Sequence, residues 1–87
     1  MLPLNYALLK YFTSVSEASA DMVLNALQET YGEFRAFNKK SIGESLMTAE
    51  ANDLLQESRY ELDENDELVI YYSATPESRA SINRFIT

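Results

Sequence analysis

The chain contains no cysteine and no histidine. Without cysteine there is no disulfide framework and no thiolate metal site, so folding does not depend on an oxidising compartment. Without either residue there is no Ser-His or Cys-His nucleophile and no imidazole to serve as a general base. Carboxylates are plentiful, but they gather in a polar, turn-prone stretch where water keeps both members of any pair ionised. These absences argue against an enzyme and supply no reason for a cofactor. Positive charge is also scarce, with seven Lys and Arg against fourteen Asp and Glu, a net charge of −7. No apolar run approaches the ~20 residues needed to span a bilayer. The opening Met1-Leu2-Pro3-Leu4-Asn5-Tyr6 lacks a basic n-region and a small-residue cleavage site. The expectation is a cytoplasmic chain with no membrane partner.

What is present suffices for one domain over residues 1–87. Hydrophobic residues make up 46% of the chain, with six tyrosines and four phenylalanines, too many for a disordered segment. A chain this short buries a modest core and is often completed by a partner. The charge is unevenly spread. Acids and bases cancel over residues 1–43, whereas Arg59, Arg79 and Arg84 are the only bases set against the acids of residues 44–87. An acidic face of this kind either keeps a small protein dissolved or meets something basic.

Four helical segments and a hairpin can be placed along the chain. A first helix over about 3–15 opens at Pro3, with Leu4, Leu8, Tyr11 and Val15 on one face and Ala7 and Phe12 beside it. Ser16-Glu17-Ala18-Ser19 reads as a connector whose last residue caps a second helix over about 20–31, with Asp21 in its first turn. Val23, Ala26, Leu27 and Tyr31 form the stripe of that helix, and Gly32 is expected to end it in the left-handed conformation. After a loop bearing Phe34 and Phe37, Asn38 caps a third helix over about 39–52. Ile42, Leu46 and Ala49 should be its buried face, with Lys40, Glu44, Met47, Thr48 and Ala51 opposite. Leu54 and Leu55 plug the core. Period-2 alternation over about 58–73 then places Tyr60 and Leu62 across from Leu68 and Ile70, with Glu61 and Val69 on the other face. The connecting Asp63-Glu64-Asn65-Asp66-Glu67 lacks glycine, which disfavours a two-residue turn and implies a longer, looser tip. Thr75-Pro76 opens a fourth helix over about 76–86 that carries Ile82, Phe85 and Ile86 on one side.

Helix, hairpin and helix in that order, with Leu54, Leu55, Tyr71, Tyr72, Thr75, Pro76 and Glu77 in sequence, resemble the wing and following helix of PadR-like and MarR-like transcriptional regulators. The resemblance extends upstream, where Ser19–Leu27 and Ile42, Leu46, Ala49 and Leu54 are similar to the helix-turn-helix. It departs at Ser78, where glycine is usual, and at the acidic wing tip. It implies an α+β winged helix-turn-helix: a three-helix core, a two-stranded β-hairpin wing and a C-terminal helix that pairs two copies into a homodimer through Ile82, Phe85 and Ile86. It also implies a non-enzymatic regulator that binds DNA through its third helix, with Arg35, Lys39, Lys40, Ser41, Ser45 and Thr48 as contacts.

Charge points to a rival function. DNA binders draw affinity from Lys and Arg that displace phosphate counterions. Here the wing tip offers Asp63, Glu64, Asp66 and Glu67, and the third helix carries Glu44 near its middle. The rival is an acidic protein-interaction module using these five residues against a basic protein surface, in the manner of a DNA mimic or phage-type inhibitor. The tip does not read as a metal site. An EF-hand register beginning at Asp63 would need glycine where Leu68 stands and glutamate where Ala74 stands.

Overall fold

The computed structural model describes residues 2–86, so Met1 and Thr87, the ends of the expected domain, lie outside the described residues. The order is α1 (Leu4–Tyr11), α2 (Ala20–Tyr31), α3 (Lys39–Ala51), β1 (Gln56–Leu62), β2 (Leu68–Ser73) and α4 (Pro76–Phe85). The molecule is a small α+β fold of helices around a two-stranded antiparallel hairpin, a layout compatible with the winged-helix expectation.

Three of the helices begin where their caps indicate. The side chains of Ser19, Asn38 and Thr75 accept hydrogen bonds from the amides of Met22, Ser41 and Ser78, satisfying donors that the first turn leaves unpaired. α1 is shorter than its hydrophobic spacing suggests. The Thr13 and Ser14 hydroxyls donate to the carbonyls of Lys10 and Tyr11, each at 2.7 Å, and these local bonds accompany the end of the helix. Burial centres on Leu8 and Phe12, while Leu4, Tyr11 and Val15 are half-buried at the flanks.

In α2, Ala26 is exposed rather than part of the stripe. The inward line runs through Val23, Leu27 and Tyr31 with Ala20 and Leu24 beside it, and Ala26 falls on its far flank. Gly32 is not left-handed either, at φ −57°. A methyl group there would come to 2.6 Å from the Gln28 carbonyl oxygen, so closeness rather than a positive φ is what a larger residue would disturb.

α3 buries Ile42, Leu46 and Ala49 as their spacing predicts. Its end is closed by Asp53, at φ 62°. The Leu54 amide donates to the Ala49 carbonyl at 2.9 Å and the Asp53 amide to Glu50 at 3.0 Å, a Schellman arrangement that usually uses glycine. This turn drives Leu55 into the core formed around Leu8, Phe12, Val23, Ile42 and Leu46.

The connector before α2 also contributes to the sheet. Ala18 and Tyr72 exchange both main-chain hydrogen bonds, each at 2.9 Å, so β2 lies between Ala18 and β1. Within the hairpin the register is Tyr60 opposite Ile70, Glu61 opposite Val69 and Leu62 opposite Leu68, with a bulge between Glu57 and Arg59. The tip is ordered rather than loose. The Asp63 carboxylate accepts the amides of Asn65 (2.8 Å) and Glu67 (3.0 Å), the Asp66 amide donates to the Asp63 carbonyl, and Asp66 takes the left-handed conformation at φ 59°. This side chain-to-backbone turn supplies the order that glycine would otherwise give.

α4 is held by the start of its own chain. Arg79 donates to the carbonyls of Ala74 (3.0 Å) and Val15 (2.8 Å), and the Ser78 hydroxyl donates to that of Asp53 (3.1 Å). Lys10 reaches Asn83 Oδ1 at 2.6 Å and the Ile86 carbonyl at 3.0 Å.

Candidate functional site

α3 separates two different surfaces. Towards α1, Ser41, Ser45, Thr48 and Glu44 line a cleft of about 360 Å³ whose apolar floor includes Leu8 and Leu54. Ser45 Oγ sits 3.5 Å from Asn5 Oδ1. Three of the expected DNA contacts are therefore gathered on the α1 side of the helix. Glu44 lies with them, apart from the acidic tip with which the sequence grouped it.

Towards the hairpin, Gly43 and Met47 of α3 face Leu68, Ile70 and Tyr72 of β2 across a groove of about 170 Å³. Tyr72 is buried at its base. Outward along the same strand face the burial fades: Ile70 is half-buried, and Leu68 is 59% exposed. Across from them Tyr60 and Leu62 are 68% and 62% exposed, and Met47 on the helix is 54% exposed. Period 2 puts all of these strand residues on one face, so they form a continuous apolar surface running out from the groove.

Gly43 stands inside α3, where glycine costs roughly 1 kcal/mol relative to alanine. A methyl group there would meet no atom within 4 Å. Among the described residues no packing contact requires the glycine, and its absent side chain leaves the helix backbone open to the groove.

Charges near the groove are largely neutralised. Lys39 pairs with Asp21 at 3.3 Å at the groove wall, and its charge also helps hold the Asp63 carboxyl below the usual range. The larger cause of that depression is the pair of backbone amides, from Glu67 and Asn65, that the carboxylate accepts. Asp63 is thus committed to the turn, while Glu64, Asp66 and Glu67 are exposed. Lys40 and Arg35 are exposed and form no salt bridge among the described residues. Lys10 and Arg79 are tied to the carbonyls already described.

The other face of the hairpin is polar and internally matched. Arg59 Nε binds Glu17 Oε2 at 2.8 Å, and the Ser58 hydroxyl donates to Glu17 Oε1 at 2.9 Å. The same guanidinium reaches Glu61 at 3.3 Å and lies 3.8 Å over the Tyr71 ring, whose hydroxyl donates to Glu61 at 2.7 Å. The hydrogen bond from Arg59, then that from Ser58, lowers the Glu17 pKa, and the bond to Glu61 raises that of Tyr71. Sequence reasoning did not find this network, because Glu17 and Arg59 meet only once Ala18 has paired with Tyr72.

The expected dimer face is divided. Ile82 is buried within its own chain, Ile86 is half-buried and Phe85 is 77% exposed. Ile82 faces inward because α4 is anchored to α1, so it belongs to the fold and not to a surface.

Compared with known protein families, with curated proteins and with solved structures, the chain matches none of them.

Proposed function

We propose that this chain is a winged-helix module that binds another protein, using the apolar surface between α3 and the hairpin and the acids around it. The winged-helix reading is supported by the order of elements and by the short pairing of Ala18 with β2, which adds a third segment to the sheet. The observation that carries the function is the apolar face of Met47, Tyr60, Leu62 and Leu68, more than half exposed at each position. Surfaces of this character, rimmed by polar groups, mark protein contacts more often than nucleic-acid contacts. Glu64, Asp66 and Glu67 lie at its tip end, so a partner with basic residues flanking apolar ones is the complement.

DNA binding through α3 is the second reading, favoured by the exposed Lys40 and Arg35 beside the helix N-terminus. Two bases and a bridged Lys39 are few beside the six to ten phosphate contacts of a strong binder, and the acidic tip opposes them. The two readings separate in one experiment at low salt, with a basic peptide and a DNA duplex each titrated against the protein. Replacing Glu64, Asp66 and Glu67 by their amides should weaken peptide binding, whereas replacing Lys39 and Lys40 by alanine should leave it nearly unchanged. A wild-type protein that binds duplex DNA and loses it with the two lysines, while ignoring the peptide, would establish the DNA reading instead.

A further inference from the structure

The hydrogen-bond direction along the hairpin determines which main-chain groups face outward. Because Ala18 and Tyr72 exchange both bonds, the Tyr72 amide and carbonyl point away from β1. Direction alternates along an antiparallel strand, so Tyr71 and Val69 point towards β1, and Ile70 and Leu68 point away. Their partners follow the register: Arg59 and Glu61 bond to β2, while Tyr60 and Leu62 turn their N–H and C=O groups to the outer edge. The tip keeps the same alternation, since the Asp63 amide donates back to Glu67 at 2.9 Å. Among the described residues, no strand pairs with that edge.

Proteins usually blunt such an edge with a charge, a bulge or a covering segment. Here the bulge lies at Ser58, short of the open stretch, and the strand's own cation, Arg59, is drawn aside by Glu17. The two residues with outward main-chain groups are also the ones whose side chains continue the apolar face. Hydrogen-bonding capacity and apolar surface therefore coincide at Tyr60 and Leu62.

We infer that the edge of β1 is a strand-addition site for an extended segment of another protein, with apolar side chains alternating with Lys or Arg. This deepens the protein-binding reading above and rests on it. The added strand forms main-chain bonds with Tyr60 and Leu62 and sets its apolar side chains beside theirs. Its alternate residues fall on the opposite face, where Glu17 and Glu61 share the single charge of Arg59, and its end lies near Glu64, Asp66 and Glu67, which selects basic groups. A second copy of this chain is a poor occupant. Each carries a charge of −7, and antiparallel pairing about Tyr60 would lay each acidic tip beside Glu57 of the other.

The test uses the full chain and a fluorescent peptide alternating lysine with valine. The same peptide with alternate backbone nitrogens methylated serves as the comparison, and binding is read by anisotropy at low salt. Tyr60→Pro removes one outward donor without breaking the bonds to β2, and circular dichroism checks that the hairpin persists. The expected result is a loss of affinity on the order of tenfold or more for Tyr60→Pro and for the methylated peptide, the size of a lost hydrogen bond or two. Peptide binding to the wild type should also slow amide exchange at Tyr60 and Leu62. Equal binding of the two peptides, with unchanged exchange at those amides, would overturn strand addition and leave the protein-binding reading standing. If the wild type binds neither peptide at low salt, both fall. Because the methylated peptide and the exchange measurement use the wild type, the answer does not depend on the proline variant folding.

Discussion

On the face of the hairpin that carries Arg59, Glu61 and Tyr71, the charged and hydroxyl groups find partners within the chain, whereas on the opposite face Tyr60, Leu62 and Leu68 remain more than half exposed. The two faces share one backbone and one twist, and they differ in what covers them. Glu17 reaches the polar face from the connector before α2. α3 flanks the apolar face across the groove, where Tyr72 is buried and Ile70 half-buried, and leaves Leu68, Tyr60 and Leu62 more than half exposed. A two-stranded hairpin is at best marginally stable alone in water. Here the buried base and the polar network hold it, so the outer apolar residues add little to the packing of the fold.

The comparison predicts a steep gradient along a single face. Tyr72→Ala should destabilise the protein by about 3–5 kcal/mol, as expected for emptying a buried aromatic site, measured by urea denaturation. Tyr60→Ser, on the same face but outside the core, should change stability by less than about 0.5 kcal/mol. Equal losses from the two would mean that the outer half is packed, and the contrast between the faces would fail. The wall opposite should respond with the other sign. Gly43→Ala should raise stability by about 1 kcal/mol, because alanine is the better helix residue and its methyl group meets open space. The same substitution should weaken binding of the basic peptide if the partner approaches the helix backbone there.

The smallest effect belongs to the tip. The Asp63 carboxyl is held below its ordinary value by the amides of Glu67 and Asn65. Its contribution is therefore complete above the ordinary carboxylate pKa of about 4 and drains away as the pH falls through the lower, folded value. The protection of the Asn65 and Glu67 amides, taken relative to their intrinsic exchange rates at each pH, should fall below about pH 4 in the wild type. Asp63→Asn keeps an oxygen to accept both amides and should abolish that pH dependence.

Local signals in the sequence carried much of this structure. The caps at Ser19, Asn38 and Thr75, the inward line of α3 and the hairpin register all rest on residues within a few positions of each other, where spacing alone decides geometry. Contacts between distant segments were not legible. Nothing near Ala18 marks it as a strand partner, and nothing near Glu17 announces Arg59. Asp53 and Asp66 adopt left-handed conformations that the residue type permits but does not demand. For the candidate site, a helical wheel separated the buried face of α3 from its opposite face. It could not show that one flank would line a polar cleft with Ser41, Ser45 and Thr48 and the other an apolar groove with Met47. Ile82 was misplaced for a related reason: amphipathicity shows that a face is covered, without saying by which chain.

The ties between the start of the chain and its last third also bear on the order in which the protein assembles. Val15 and Arg79, which hold α4 in place, are 64 residues apart in sequence. Closing a loop that long costs conformational entropy before any contact offsets it, whereas helices and the hairpin can form from neighbouring residues. The pairing of Ala18 with Tyr72 is therefore a late event, and until it happens the inner edge of β2 is as open as the outer edge of β1. A chain whose hairpin formed before that pairing would display a strand pair with two free sides, able to template sheet growth in both directions. The short pairing at Ala18 thus acts as a stopper at the Tyr72 end of that inner edge, the end nearest the core, where sheet growth would otherwise compete with docking of the helices.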